Sequence, residues 1–254
     1  MNLVEHLRGG NYVVALSGGV DSSVVAKAAY LANPSSLAVT VVDESMPAED
    51  VRWAQTIAKK IGIEHVMLRR MIPKKVLENK EGRCYYCKKS IFSLIKRRFG
   101  ERVILDGSNY DDLDDYRPGM QALRELGVRS PLMEIGMRKE DVRELAKRWE
   151  LPNWDRESSA CLCSRFQPNV KIKKRFMRVI DRVENYIRVL GFRNVRIRVH
   201  ESGGVRMARI EVNKEDVGEL FEKAEEISGM LKSKGFDLVV LDPEGYKRGG
   251  GFNE

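Results

Sequence analysis

Tyr12-Val-Val-Ala-Leu-Ser-Gly-Gly-Val-Asp-Ser-Ser23 is the stretch that decides how this chain is built. An apolar run, residues 12–16, stops at a Ser-Gly-Gly turn and gives way at once to a helical pattern starting at Val20. A strand that restarts as a helix through such a turn aims several backbone N–H groups, and the positive end of the helix dipole, at one point. Gly18 and Gly19 let the main chain approach an anion closely and adopt positive φ where the turn demands it. Ser17, Ser22 and Ser23 add hydroxyl donors, and Asp21 is placed to hold a divalent cation or orient a water. The stretch reads as a pyrophosphate cradle. It has neither the Gly-Lys-Ser/Thr of a Walker A loop nor the spacing of a dinucleotide fingerprint.

SGGVDSS resembles the signature of the PP-loop ATP pyrophosphatases, which cleave ATP between its α- and β-phosphates to adenylate a substrate. The resemblance implies that Ser17, Gly18, Gly19, Val20, Ser22 and Ser23 contact the nucleotide, with Asp21 on Mg²⁺. Working outward, short apolar runs at 12–16, 37–42, 65–68 and 102–106 read as strands. Residues 20–32, 48–61 and 88–99 between them read as helices, and 138–149 as one more. This alternation is that of an α/β fold, a doubly wound parallel sheet ending near residue 150. Open sheets of that kind bind ligands at the carboxyl ends of their strands, where Asp106-Gly-Ser-Asn109 repeats the strand-to-turn pattern. The acidic loop Asp111-Asp-Leu-Asp-Asp-Tyr116 lies at the same end; it either helps bind metal or substrate or caps a helix. After Pro152-Asn-Trp154 the pattern changes to a helix at 175–190, alternating strands at 195–199 and 208–212, a helix at 217–234 and a strand at 238–241. Residues 151–254 are therefore expected to form a smaller α+β domain after the PP-loop domain of residues 1–150.

Composition sets the outer limits. With 254 residues, 43% of them hydrophobic and 32% charged, the chain can bury a substantial core. It has no apolar run long enough to span a membrane and no secretory signal pattern, so a cytoplasmic location is expected. The formal charge of +8 points to polyanionic partners: nucleotides, phosphorylated cofactors or RNA. Eleven Lys or Arg residues against two acids fall between Arg165 and His200. That excess fits either a solvated basic surface or one that faces phosphate.

All four cysteines fall in two close pairs: Cys84 and Cys87 as C-x-x-C, Cys161 and Cys163 as C-x-C. In a cytoplasmic chain such pairs are more often ligands or catalytic groups than disulfides. The spacings suit structural zinc or an iron–sulfur cluster. A cluster held by three cysteines leaves one iron open to an extra sulfide, which pairs naturally with an adenylating loop: ATP makes an oxygen a leaving group and a soft sulfur displaces it. Arg83, Lys88 and Arg165 beside the cysteines favour their thiolate forms.

With both halves in view, the chain resembles the LarE family, the ATP-dependent sulfur insertases of nickel-pincer cofactor synthesis. The likeness runs nearly end to end: SGGVDSS, RCYYCKKSIF from Arg83, DGSNYDDLDDYRPG from Asp106, GVRSPL from Gly127, ACLCSRF from Ala160, ARIEV from Ala208 and LDPEGYKRGG from Leu241. It implies adenylation of a carboxylate of pyridinium-3,5-biscarboxylic acid mononucleotide and replacement of its oxygen by sulfur. The family uses either the motif cysteine, here Cys161, as a sacrificial donor or a 4Fe-4S cluster. The extra cysteines favour the cluster, with Cys84, Cys87 and Cys161 as ligands and Cys163 as a further candidate; Asp21, Cys161 and Cys163 are the expected catalytic residues. Arg165, Arg198 and Arg209 are candidates for seating the substrate phosphate, and Glu211 and Asp242 for metal or substrate. A sulfide source and a homo-oligomer are expected as partners, nucleic acid and membrane not. The alternatives are a PP-loop tRNA thiolase using a cysteine-bound cluster, and a non-catalytic nucleotide- or metal-binding module.

Overall fold

The computed structural model describes residues 2–113 and 118–247; residues 114–117 of the acidic loop and the glycines at 249–251 lie outside the described residues. The chain divides into two compact units, the first made of Met1–Asp43, Ala48–Pro73 and Gly82–Ser159, the second of Glu44–Pro47, Lys74–Glu81 and Ala160–Glu254.

In the first unit the elements run α1 (Leu3–His6), β1 (Tyr12–Ala15), α2 (Val20–Ala32), β2 (Leu37–Val42), α3 (Ala48–Ile61) and β3 (Glu64–Arg69). After α4 (Lys74–Leu77), which belongs to the second unit, come α5 (Arg83–Phe99), β4 (Val103–Leu105), α6 (Pro118–Leu126), α7 (Pro131–Glu134) and α8 (Lys139–Arg148). The four strands form a parallel sheet in the order β3-β2-β1-β4, with Val13 paired to Leu37 on one side and Ile104 on the other. This is the α/β architecture expected from the alternation of strand and helix patterns.

Strand β1 is central, so both of its faces are covered, as parallel sheets require. Val13 packs with Leu37, Val39, Phe92, Ile95 and Ile104 on one side. Tyr12, Val14 and Leu16 point the other way, into a core shared with α2, α3 and α8. Helix α2 has Val24, Val25, Ala26, Ala28 and Ala29 all fully buried. A helix apolar on nearly every side belongs inside a domain, and its small residues let it lie close to the sheet. The first unit runs past residue 150 to Ser159, because Asn153 and Arg156 bond back to the Gly18 carbonyl.

The second unit contains α9 (Lys174–Val189), β5 (Arg196–Ser202), β6 (Val205–Glu211), α10 (Val217–Phe221), α11 (Ala224–Lys232) and β7 (Leu238–Leu241). Its sheet has the order β5-β6-β7, antiparallel between β5 and β6 and parallel between β6 and β7. Ile197, Val199, Ala208 and Ile210 are buried from the sheet, and Phe176, Met177, Ile180, Val183 and Ile187 from α9. Strands β5 and β6 are longer than their alternating runs because Gly203 and Gly204, at φ of 57° and 83°, close a two-residue hairpin between them. The helix expected at 217–234 is divided in two at residues 222–223. None of the described helices is long and apolar enough to cross a membrane.

Candidate functional site

The loop from Ser17 to Ser23 joins β1 to α2 at the carboxyl end of the central strand. Gly18 sits at φ +84°, and a Cβ there would meet the Asp50 carbonyl oxygen at 2.4 Å. Both facts require glycine. The Gly18 carbonyl accepts from Asn153 Nδ2 at 3.1 Å and Arg156 Nη1 at 3.2 Å. Arg156 also bonds Asp50 at 2.6 Å and lies over the Trp53 ring. That carbonyl is thus tied from outside the loop, while the N–H groups of Ser17, Gly19 and Ser23 bond within it, to Ser22 Oγ, Ser17 Oγ and the Gly19 carbonyl.

The loop serines also bond to one another and to the loop's own main chain. Ser22 and Ser23 are buried, and their hydroxyls donate to the Gly19 carbonyl at 3.1 and 2.8 Å. Ser22 Oγ accepts from Ser17 N and lies 3.0 Å from the Ser17 hydroxyl. They brace the loop internally, and Ser17 is the exposed hydroxyl of the three.

The neighbouring strand end closes the site. A Cβ on Gly107 would fall 2.7 Å from Ser22 N and 2.9 Å from Ser22 Cα, so the β4 turn touches the first turn of α2. Gly107→Ala is expected to cost about 1–3 kcal/mol by overpacking and to raise the KM for ATP. Thermal unfolding and ATP kinetics check this; a wild-type midpoint and KM would mean that the loop yields.

Beside Gly107, Asp106 is buried and saturated, accepting from Ser108 Oγ and Ser130 Oγ at 2.6 Å each and from Lys88 at 3.3 Å. Asp21 is not saturated. Its Oδ1 and the Oδ1 of Asn109 are both buried without a hydrogen-bond partner. Burial pushes the Asp21 carboxyl above the ordinary carboxylate range, against the pull of Lys139 and of a hydrogen bond from Asn109, while the like charge of Asp112 adds to the rise. Two buried orphan oxygens, on side chains that touch, are costly unless something positive meets them. A hard cation with oxygen ligands, Mg²⁺ above all, fits that donor set. In the acidic loop, Asp111 caps α8, accepting from Lys139 N and Arg138 at 2.8 Å each. Asp112 accepts from Asn109 N at 3.2 Å.

The cysteines divide two and two. Cys84 and Cys87 stand on the first turn of α5, which begins five residues before the basic pattern at 88–99 and is preceded by Gly82 at φ 76°. Cys161 and Cys163 belong to the second unit. All four are thiols rather than disulfides; Cys84 and Cys161 are exposed, Cys87 is partly so, and Cys163 is buried with its sulfur 3.9 Å from that of Met177. Among the described residues, no three His, Cys, Asp or Glu side chains form a ready-made metal site. The donor chemistry nonetheless suits a soft metal group, with three accessible sulfurs and no disulfide.

Arg165, Arg198 and Arg209 are held in ion pairs. Arg165 is almost fully buried, with Nε and Nη2 on Glu184 at 2.8 and 3.1 Å and Nη1 on the Ala160 carbonyl and the Ser164 hydroxyl. Burial opposes the charge of Glu184, but Arg165 and then Arg188 and Arg196 hold its carboxyl below the usual range. Arg198 and Arg209 face each other across β5 and β6 and share Glu211. Asp242 lies 3.5 Å from Arg209, whose side chain is 27% exposed. Glu211 and Asp242, candidates for metal or substrate, are thus partners of arginines.

Asn153 and Arg156 were not singled out by the sequence as site residues, and Gly107 and Asn109 only as part of the turn at a strand's carboxyl end. Polar side chains just after a Pro break, and after a strand running into Asp-Gly, were the available signals.

A Ser-Gly-Gly turn between the central strand of a parallel sheet and a buried helix is the arrangement of the PP-loop ATP pyrophosphatases. Residues 6–78 match the asparagine synthase family, whose domain is of this kind. The chain is 37% identical over 245 residues to an uncharacterised protein of Synechocystis, covering 93% of this chain and 90% of the relative. It is 33% identical over 243 residues to the pyridinium-3,5-bisthiocarboxylic acid mononucleotide synthase of Lactiplantibacillus plantarum, covering 93% of this chain and 87% of the synthase. A Methanocaldococcus jannaschii protein, also uncharacterised, is 28% identical over 250 residues, 97% of this chain and 94% of its own. The chain belongs to the LarE family of ATP-dependent sulfur transferases.

Proposed function

We propose that this enzyme adenylates a carboxylate of pyridinium-3,5-biscarboxylic acid mononucleotide and replaces its oxygen with sulfur, releasing pyrophosphate and AMP. The observation that carries the proposal is the pair of orphan oxygens of Asp21 and Asn109 at the mouth of the 17–23 loop. Asp21 and Asn109 would hold Mg²⁺, which neutralises charge on the phosphates when bound.

The loop N–H groups position the β- and γ-phosphates so that the substrate carboxylate attacks the α-phosphorus in line. Fixed dipoles aimed at developing charge do this without reorganising during the reaction. The P–O bond to pyrophosphate breaks and an acyl-adenylate forms. Hydrogen sulfide ion then adds to the acyl carbon, the acyl C–O bond breaks, and AMP leaves with the former carboxylate oxygen.

A 4Fe-4S cluster would be held by Cys84, Cys87 and Cys161, the three thiols that reach solvent; when bound it supplies sulfide as the nucleophile. Cys163, enclosed beside Met177, is better suited to the interior of its unit than to a reactive role. Should no cluster form, Cys161 is the sulfur donor. Arg209, with Arg198 beside it, is the proposed seat of the substrate phosphate. Arg165 acts from behind, bracing the turn that carries Cys161 through the Ala160 carbonyl and Ser164. Cysteines kept as thiols fit a reducing cytoplasm, and exposed Leu238 and Val240 on the edge strand β7 fit a homo-oligomer.

The test is an anaerobic incubation with Mg²⁺-ATP and sulfide, with and without the pyridinium dicarboxylate. Equimolar AMP and pyrophosphate that depend on the pyridinium compound are expected. AMP formation driven instead by tRNA, falling steeply with salt, would assign the chain to tRNA thiolation.

A further inference from the structure

Arg70 follows directly on β3, and its backbone N–H continues the ladder to the Val42 carbonyl at 3.2 Å. It therefore stands next to Asp43, one residue beyond the Val42–Arg69 pair. Arg70 Nε donates to Asp43 Oδ2 at 2.6 Å, with the two side chains only 5% and 3% exposed. A buried pair of this kind is tightly held, since removing either member strands the other charge.

The ion pair leaves the two terminal nitrogens of the guanidinium to bond elsewhere, and both turn to the same residue. Nη1 donates to the Cys87 carbonyl at 3.0 Å and Nη2 to Cys87 Sγ at 3.1 Å. The planar fork fixes both atoms at once, so the sulfur is set in position and direction relative to the sheet edge. Lysine cannot reproduce this, since its single ammonium cannot span Asp43, a carbonyl and a sulfur together.

We infer that Arg70, anchored by Asp43, is the positioning residue for the Cys87 sulfur and hydrogen-bonds it as a cluster ligand, so setting the cluster's reduction potential. The inference rests on the cluster reading given above. Its physical basis is that N–H donors and positive charge at a ligating sulfur stabilise the reduced, more negative cluster and raise its potential. Arg70 touches neither nucleotide nor substrate in this assignment; it acts through Cys87.

The experiment uses the anaerobically reconstituted full chain as wild type, Arg70→Gln and Arg70→Lys. Iron and labile sulfide per chain, circular dichroism and the midpoint of a dithionite titration are measured for each. Expected is a midpoint moved to more negative potential in Arg70→Gln and by a smaller step in Arg70→Lys, with the fold retained. Loss of iron from a folded Arg70→Lys chain would also support the assignment, because the sulfur is then no longer held. Where Arg70→Gln fails to fold, Arg70→Lys alone decides. Wild-type iron with an unmoved midpoint in the folded variants overturns the role of Arg70 and leaves the cluster standing. A wild-type chain that takes up no iron removes the cluster itself, and this inference with it.

Discussion

Replacing Asp21 by alanine is expected to lower ATP-dependent AMP formation by at least about 10²–10³-fold while the chain stays folded. Asp21 is the acid of the phosphate loop, and its Oδ1 lies buried with no hydrogen-bond partner. A buried oxygen without a hydrogen bond costs the fold unless something positive meets it. Burial raises the carboxyl above its ordinary value, and the consequence for stability has a definite sign. An acid that keeps its proton more readily folded than unfolded makes stability fall as pH rises from the unfolded value through the folded one. Above both values the cost is complete. With a chelator present, the Asp21→Asn chain should therefore melt at or above the wild-type temperature near neutral pH, and the difference should disappear in acid. Retained turnover would take Asp21 out of the mechanism, and a large fall in melting temperature would make it a structural residue.

Glu184→Ala is expected to have the largest effect on stability, about 3–5 kcal/mol. Glu184 accepts from Arg165, from Arg188 and from the backbone N–H of Ile197. It thus ties α9, β5 and the turn bearing Cys161 to one carboxylate inside the second unit. Its removal strands the Arg165 guanidinium, which is nearly as buried. At roughly 4–8 °C per kcal/mol for a domain of this size, a fall in that unit's melting temperature exceeding about 10 °C is expected in calorimetry. The depressed carboxyl contributes stability above its unfolded value, and that stability is lost as pH falls through the folded one. Glu5→Ala, which removes an exposed pair with Arg8, should change stability by no more than about 0.5 kcal/mol. Equal melting of the two variants would contradict the assignment.

The phosphate loop was legible because its chemistry is local: strand, glycines, acid and helix occupy twelve consecutive residues. The sheet was legible for the same reason, since buried parallel strands are continuous apolar runs. What brought Asn153 and Arg156 to Gly18 is a long-range return of the chain, and no spacing rule encodes it. The bonds of Ser22 and Ser23 to the Gly19 carbonyl were not legible in sequence, because a hydroxyl beside a glycine turn serves a phosphate or a carbonyl equally well. Arg165, Arg198 and Arg209 read as part of a basic surface because Glu184, Glu211 and Asp242, which pair with them in turn, are spread along the chain. The start of α5 at Arg83 was hidden by two tyrosines and two cysteines, which are weak helix formers, and the hairpin at Gly203-Gly204 carried a signal that the strand pattern alone did not use.

The most direct measurement follows oxygen from substrate to nucleotide. Pyridinium dicarboxylate enriched in oxygen-18 is incubated with Mg²⁺-ATP and sulfide, and the AMP is weighed by mass spectrometry. If the loop activates the carboxylate, each thiocarboxylate formed leaves one labelled oxygen on AMP. Thiocarboxylate accompanied by unlabelled AMP would mean that the acid was never adenylated.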